Sequence, residues 1–97
     1  MKPQYQDWSQ ILQLIERSHD DDLQSTLLTL LLTPDEREAV TARVNIVSEL
    51  LKGELSQRQI SQLLGVGVAT ITRGSAEVKR LSDDDKAALL RILDQSE

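Results

Sequence analysis

The sequence predicts an all-α protein of six helices, and three observations carry that reading. Apolar residues recur at helical spacing through most of the chain. The apolar vocabulary is Leu, Ile, Val and Ala, with Tyr5 and Trp8 the only aromatic side chains, which suits helix packing rather than a sheet. Helix-start signatures punctuate the chain, a Ser or Thr followed three residues on by Glu or Gln. No strand pattern, internal repeat or low-complexity linker competes with this reading.

Each element has its own signal. Over residues 4–17, Trp8, Ile11, Leu12 and Ile15 share one helical face, with Leu14 beside them. The run His19-Asp20-Asp21-Asp22 breaks that pattern and offers N-cap oxygens for a second helix over 22–31, rich in leucine. Thr33-Pro34-Asp35-Glu36 is the clearest start in the chain. Thr33 can accept from the first amides, Pro34 suits the first helical position and Glu36 completes a capping box. The helix it opens carries Val40, Val44, Val47, Leu50 and Leu51 to about Lys52, where Gly53 stops it in a left-handed conformation. Ser56 and Gln59 form a second capping box ahead of Ile60, Leu63 and Leu64. Gly65-Val66-Gly67 turns the chain into a helix over 68–79. Ser82 then caps a last helix whose acidic first turn, Asp83-Asp84-Asp85, suits the positive end of the helix dipole. Its apolar stripe is Leu89, Leu90, Ile92 and Leu93.

Length and composition narrow the function. A chain of 97 residues suits one domain. Domains of this size bury a small share of their surface, and with no cysteine neither a disulfide nor a thiolate metal site can help. Pairing with a second copy is the expected remedy. Residues 1–10 are polar and no apolar run approaches the length of a bilayer, so a cytoplasmic protein without a membrane partner is expected. No partnered nucleophile, phosphate loop or spaced metal-ligand pattern occurs, which argues against an enzyme and against a catalytic or metal site. His19 reads as an exposed loop residue, the aspartate triplets as caps and solubilising charge, and Trp8 as a core residue of the domain or dimer. The net charge is −5. From Lys52 to Arg80, however, Lys52, Arg58, Arg73, Lys79 and Arg80 face Glu54 and Glu77, a local +3 against −8 elsewhere. Local charge governs attraction to phosphate more than the total does.

Residues 56–79 meet the demands of a helix-turn-helix. Ser61 is a small residue where the second helix must cross, Gly65 stands four residues later in the turn, and Ile60, Leu64, Val66 and Ile71 supply a small core. The outward positions Ala69, Thr70, Thr72 and Arg73 are small or polar and can approach base edges. Spacing alone leaves an ordinary αα-hairpin open.

Leu30-Leu-Leu-Thr-Pro-Asp-Glu-Arg-Glu-Ala39, Arg43-Val44, Glu49-Leu-Leu51, Gly53-Glu54, Ser56-Gln-Arg58 and Gly65-Val-Gly-Val-Ala-Thr-Ile-Thr-Arg-Gly-Ser75 closely resemble the tryptophan repressor family. The resemblance covers Trp8 to Lys79 and is dense from Leu30 to Ser75. It implies a Trp-repressor-like fold, an intertwined homodimer with dimer-core helices over 1–52, a reading head over 56–79 and a C-terminal core helix over 82–95. It implies L-tryptophan as corepressor and double-stranded palindromic operator DNA as partner, with no other cofactor. Arg43 and Arg73 would sandwich the indole, and Arg73 and Thr33 would hold the carboxylate. Carbonyls of Leu30 and Leu32, supplied by the second copy, would accept from the ammonium, and Val47 and Gly74 would line the pocket. Glu77 stands where family members carry a serine near the ammonium, and Ser61 where members often carry a lysine. On DNA, Arg58 would reach a guanine beside Gln57. Val68, Ala69, Thr70 and Thr72 would face bases, partly through water, Lys79 would approach phosphate, and Gly67 and Arg73 would belong to the same DNA-binding surface. Two other readings stay open: a helix-turn-helix regulator with another corepressor or none, and a helical protein-interaction module.

Overall fold

The computed structural model describes residues 1–94. Among them are six helices and no strand: α1 (Trp8–Asp20), α2 (Gln24–Leu31), α3 (Pro34–Lys52), α4 (Gln57–Leu64), α5 (Val68–Lys79) and α6 (Asp83–Leu93). The all-α, six-helix expectation holds. The chain falls into two compact units, Met1–Glu38 and Ala39–Glu97.

In the first unit α1 packs on α2. Helix α1 begins at Trp8 rather than at residue 4, because Asp7 caps it. The Asp7 carboxylate accepts from the Gln10 amide at 3.0 Å, and the Gln10 side chain accepts back from the Asp7 amide at 3.1 Å. The Ser9 hydroxyl donates to the same carboxylate at 2.7 Å. That bond, then the Gln10 amide, holds the Asp7 carboxyl below its ordinary value of 3.8. The helix also outruns residue 17, continuing through Asp20. The aspartate run does not cap α2. Leu23 is its N-cap, with no side-chain hydrogen bond. Asp22 instead takes a left-handed φ of 59°, which Asp tolerates better than most residues, and α2 starts at Gln24 rather than at 22.

No residue of α1 or α2 is buried. Trp8, placed in the core by its spacing, is 68% exposed in the single chain, and Leu12, Leu23, Leu30 and Leu31 are exposed with it. Helix α3 opens as its capping box predicts. The Glu36 amide donates to Thr33 Oγ1 at 3.1 Å and the Thr33 amide to Glu36 Oε1 at 2.9 Å.

The second unit is built round Ile46 of α3, Ile60 of α4 and Ile71 of α5, with Leu50, Leu55, Leu64 and Val66 packed against them. Burying a side chain of this kind contributes about 1.5–3 kcal/mol. Ile60, Leu64, Val66 and Ile71 are where the spacing puts them. Ile46 is the departure in α3: the expected stripe included Val40 and Val44, which are exposed, while Ile46 turns toward α4 and α5. Leu63 is the departure in α4. It is 61% exposed, because Ile60 and Leu64, four residues apart, already form the inward face of this short helix.

The α4–α5 turn is fixed by backbone geometry. Gly65 has φ 68° and ψ 32°, a conformation that costs an L-residue with a Cβ. Its amide donates to the Ser61 carbonyl at 2.9 Å, and the Ser61 hydroxyl donates to the Val66 carbonyl at 2.5 Å. Gly53 just after α3 is left-handed too, at φ 67°, as expected. At Gly74, α5 approaches α3 closely: a Cβ there would lie 3.2 Å from Ile46 Cγ2. Ser82 caps α6 by accepting from the Asp85 amide at 3.1 Å. Helix α6 ends at Leu93 with Asp94 as its C-cap, and the predicted reach to residue 95 lies outside the described residues.

Candidate functional site

Two helical faces of the second unit enclose a cavity of about 450 Å³, within the range of roughly 300–1,000 Å³ typical of small-molecule sites. Helix α3 contributes Arg43, Ile46 and Val47, and α5 contributes Thr70, Arg73, Gly74 and Glu77. The numbering explains the wall. Positions 43, 46 and 47 share one face of α3, and 70, 73, 74 and 77 share one face of α5. The glycine at 74 lets the floor, made by Ile46, come close to α5.

The charges of this cavity are distinctive. Two guanidiniums, Arg43 and Arg73, line it with a single carboxylate, Glu77. Among the described residues neither arginine makes an ion pair. Arg73 Nε reaches the Ala69 carbonyl one turn earlier, at 3.5 Å. Glu77 Oε1 lies 3.6 Å from Arg80 Nη1 on the solvent side. Flat cationic groups beside an apolar floor suit a ligand with an aromatic ring and an anionic group.

Of the residues singled out for a ligand, Arg43, Val47, Arg73, Gly74 and Glu77 come together in this cavity. Ile46 and Thr70 line it as well. Ile46 was hidden by its apolar character, which signals core and pocket floor alike. For Thr70 the spacing points to the DNA side alone. Leu30, Leu32 and Thr33 belong to the first unit. There Leu30 is 80% exposed. The Leu32 carbonyl accepts from Arg37 Nη1 at 2.9 Å, which leaves one of its two lone pairs. The Thr33 oxygen is engaged as the cap of α3, with its own proton still available.

The outer surface of the α4–α5 hairpin carries the other group. Arg58, Gly67, Val68, Ala69, Thr70, Thr72, Arg73 and Lys79 are exposed, and Gln57 is half-buried. Gln57 and Thr72 are tied together, Thr72 Oγ1 lying 2.8 Å from Gln57 Oε1 and 3.0 Å from the Val68 carbonyl. With its oxygen turned to Thr72, the Gln57 amide nitrogen is left to donate elsewhere. Two of the five cations of the basic stretch have acidic partners, Lys52 with Glu49 at 3.7 Å and Arg80 with Glu77. Arg58, Arg73 and Lys79 make no ion pair among the described residues. Among the described residues no helix is long and apolar enough to cross a membrane, and no His, Cys, Asp or Glu cluster could hold a metal ion.

These features define a class: an all-helical protein with a tightly turned, basic-faced helical hairpin, sharing one of its helices with a cationic ligand-sized pocket. The family model described as Trp repressor protein matches residues 6–93. A Trp operon repressor homolog of Vibrio campbellii is 64% identical over 94 residues, covering 97% of this chain and 94% of that protein. Those of Vibrio vulnificus and Vibrio cholerae are 62% and 60% identical, over 96% and 95% of this chain and 91% and 89% of their own lengths. The chain belongs to the Trp repressor family.

Proposed function

We propose that the protein is a tryptophan-activated transcriptional repressor of the cytoplasm and not an enzyme. In this reading a homodimer binds palindromic operator DNA through its two hairpins when L-tryptophan occupies the two pockets. The observation that carries the reading is the position of Arg73, which lines the cavity from the helix whose neighbouring residues form the exposed face of the hairpin. A ligand that orders Arg73 thereby bears on the reading helix.

The roles follow from chemistry. Arg43 and Arg73 stack on the indole faces, each contact being worth about 0.5–2 kcal/mol. Arg73 and the Thr33 hydroxyl hold the carboxylate. The carbonyls of Leu30 and Leu32 from a second copy, and Glu77, receive the ammonium, while Val47 and Gly74 shape the apolar wall. On DNA, Arg58 is the guanine-reading side chain, a fork suited to two adjacent acceptors. Gln57 donates beside it. Gly67, Val68, Ala69, Thr70 and Thr72 form the groove-facing surface, and Arg73 and Lys79 meet phosphate. The whole chain then works as one helical unit per subunit, with residues 1–52 and the last helix in the dimer core and 56–79 as the head.

Gel shifts test this directly, using palindromic DNA selected from a random-sequence pool, with and without L-tryptophan. Binding that needs tryptophan is the expected result. Binding indifferent to tryptophan would leave a regulator of this fold with another effector or none, and no specific binding under either condition would leave a protein-interaction module.

A further inference from the structure

Glu77 is the one carboxylate on a cavity that otherwise presents two guanidiniums. An amino acid carries both signs of charge, so a pocket that takes one is served by acceptors for the ammonium as well as by a cationic pole for the carboxylate. Backbone carbonyls can receive an ammonium but carry no net charge. Glu77 carries one, and it reaches the cavity from α5 itself.

Glu77 also has a partner outside the cavity. Arg80, one turn further along α5, approaches it at 3.6 Å with both side chains largely exposed. Arg80 does not line the cavity, so moving it leaves the walls in place. Exposed pairs of this kind at i,i+3 spacing are weak, and a ligand ammonium fixed against the carboxylate by its other contacts is a better partner for it.

Resting on the tryptophan-pocket reading, we propose that Glu77 is the group that selects an amino acid over an amine-free indole acid, and that Arg80 is its resting counter-ion, exchanged for the ligand ammonium on binding. The pair is an ion-pair relay along one helix face. The ligand ammonium takes the carboxylate, and the Arg80 guanidinium passes to solvent beside Lys79. No bond is made or broken, and charge is conserved at each step.

The two halves make separable demands. Without Glu77 a zwitterion loses an attraction, whereas an indole acid loses a repulsion between two carboxylates. Without Arg80 the carboxylate waits unpaired, so tryptophan no longer has a competitor. Calorimetry with L-tryptophan and with indolepropionate, its amine-free analogue, reads both on the full-length protein. Glu77→Gln is expected to weaken tryptophan about tenfold, as loss of a charged hydrogen-bond partner does, and to leave indolepropionate unchanged or tighter. Arg80→Ala is expected to tighten tryptophan about two- to threefold, in keeping with the small worth of an exposed pair. Both positions are exposed, and unchanged melting curves check that each variant is folded. If both compounds bind and Glu77→Gln shifts them alike, or shifts neither, the assignment of Glu77 is overturned while the pocket stands. Tryptophan affinity unmoved by Arg80→Ala overturns the exchange. If neither compound binds the unaltered protein, the pocket reading falls, and this assignment with it.

Discussion

At the scale of single residues the site rests on a few side chains whose types the sequence displays openly. Arg43, Arg73 and Glu77 are polar residues on helices, and polarity at a known helical register places them on a surface. Ile46 behaves differently. Its chemistry is the same whether it floors a pocket or fills a core, and in this protein it does both. Arg43→Ala is expected to weaken tryptophan binding by about 1–2 kcal/mol, the loss of one cation–aromatic contact, with the association state unchanged. Calorimetry and sedimentation together check this. Thr72→Val removes the hydroxyl that engages Gln57 and keeps the side chain's shape. Operator binding is expected to fall several-fold, by about 1 kcal/mol for a lost hydrogen bond, and Thr72→Ser is expected to restore it. Asp7 supplies a pH signature. Its folded-state carboxyl sits below 3.8, so its cap contribution is present above that value and is lost as pH falls through the lower folded value. The Gln10 amide resonance should report this loss on acid titration, and Asp7→Asn, which caps without titrating, should abolish the response.

At the scale of elements, starts marked by a side-chain oxygen with a partner three residues on are legible in the sequence. Thr33, Ser56 and Ser82 all cap the helices they were expected to cap. The misplaced starts share a cause. Asp7 lies inside the 4–17 span expected for the first helix, immediately before the first residue of its apolar face, Trp8, so extending the helix past that face passed over the capping oxygen. The triple aspartate offered several caps, yet the backbone turned left-handed at Asp22 and passed the N-cap to Leu23. Periodicity reports which face is apolar, and it is nearly silent about the residue at which a helix begins. The hairpin turn gives the sharpest test at this scale. Gly65 is left-handed and nothing lies within 4 Å of where a Cβ would stand, whereas Gly67 is also open but has an ordinary extended backbone. Gly65→Ala is therefore expected to destabilise by about 1–2 kcal/mol from backbone strain alone. Gly67→Ala should cost a fraction of that, and urea midpoints of the two variants provide the comparison.

At the scale of the whole molecule the decisive fact is how little one chain buries. Ile46, Ile60 and Ile71 are the buried hydrophobic side chains among the described residues, while Trp8, Leu12, Leu23, Leu30, Leu31, Val40 and Val44 stay exposed. Solitary exposed leucines are ordinary. A first unit in which neither α1 nor α2 has a buried residue is not, and the proposed pairing with a second copy would cover that surface. In the sequence that surface is legible only as a need, since length and composition say that it must be covered and not by what. The protein is expected to sediment at about twice its 10.9 kDa chain mass. Its melting temperature should rise with protein concentration, as it does when folding and pairing are linked. Trp8 emission should shift to the red as the pair is dissociated by dilution.

The three isoleucines have one more consequence. A hairpin held by so few buried side chains opens locally far more often than a large core does, and its amide protons trade with solvent at each opening. Ile46 anchors that small core on one side and floors the cavity on the other. A molecule seated on Ile46 therefore slows the exchange of amides in α4 and α5 by the factor mass action sets. Occupancy of the pocket becomes readable as deuterium retained in helices the ligand does not have to touch.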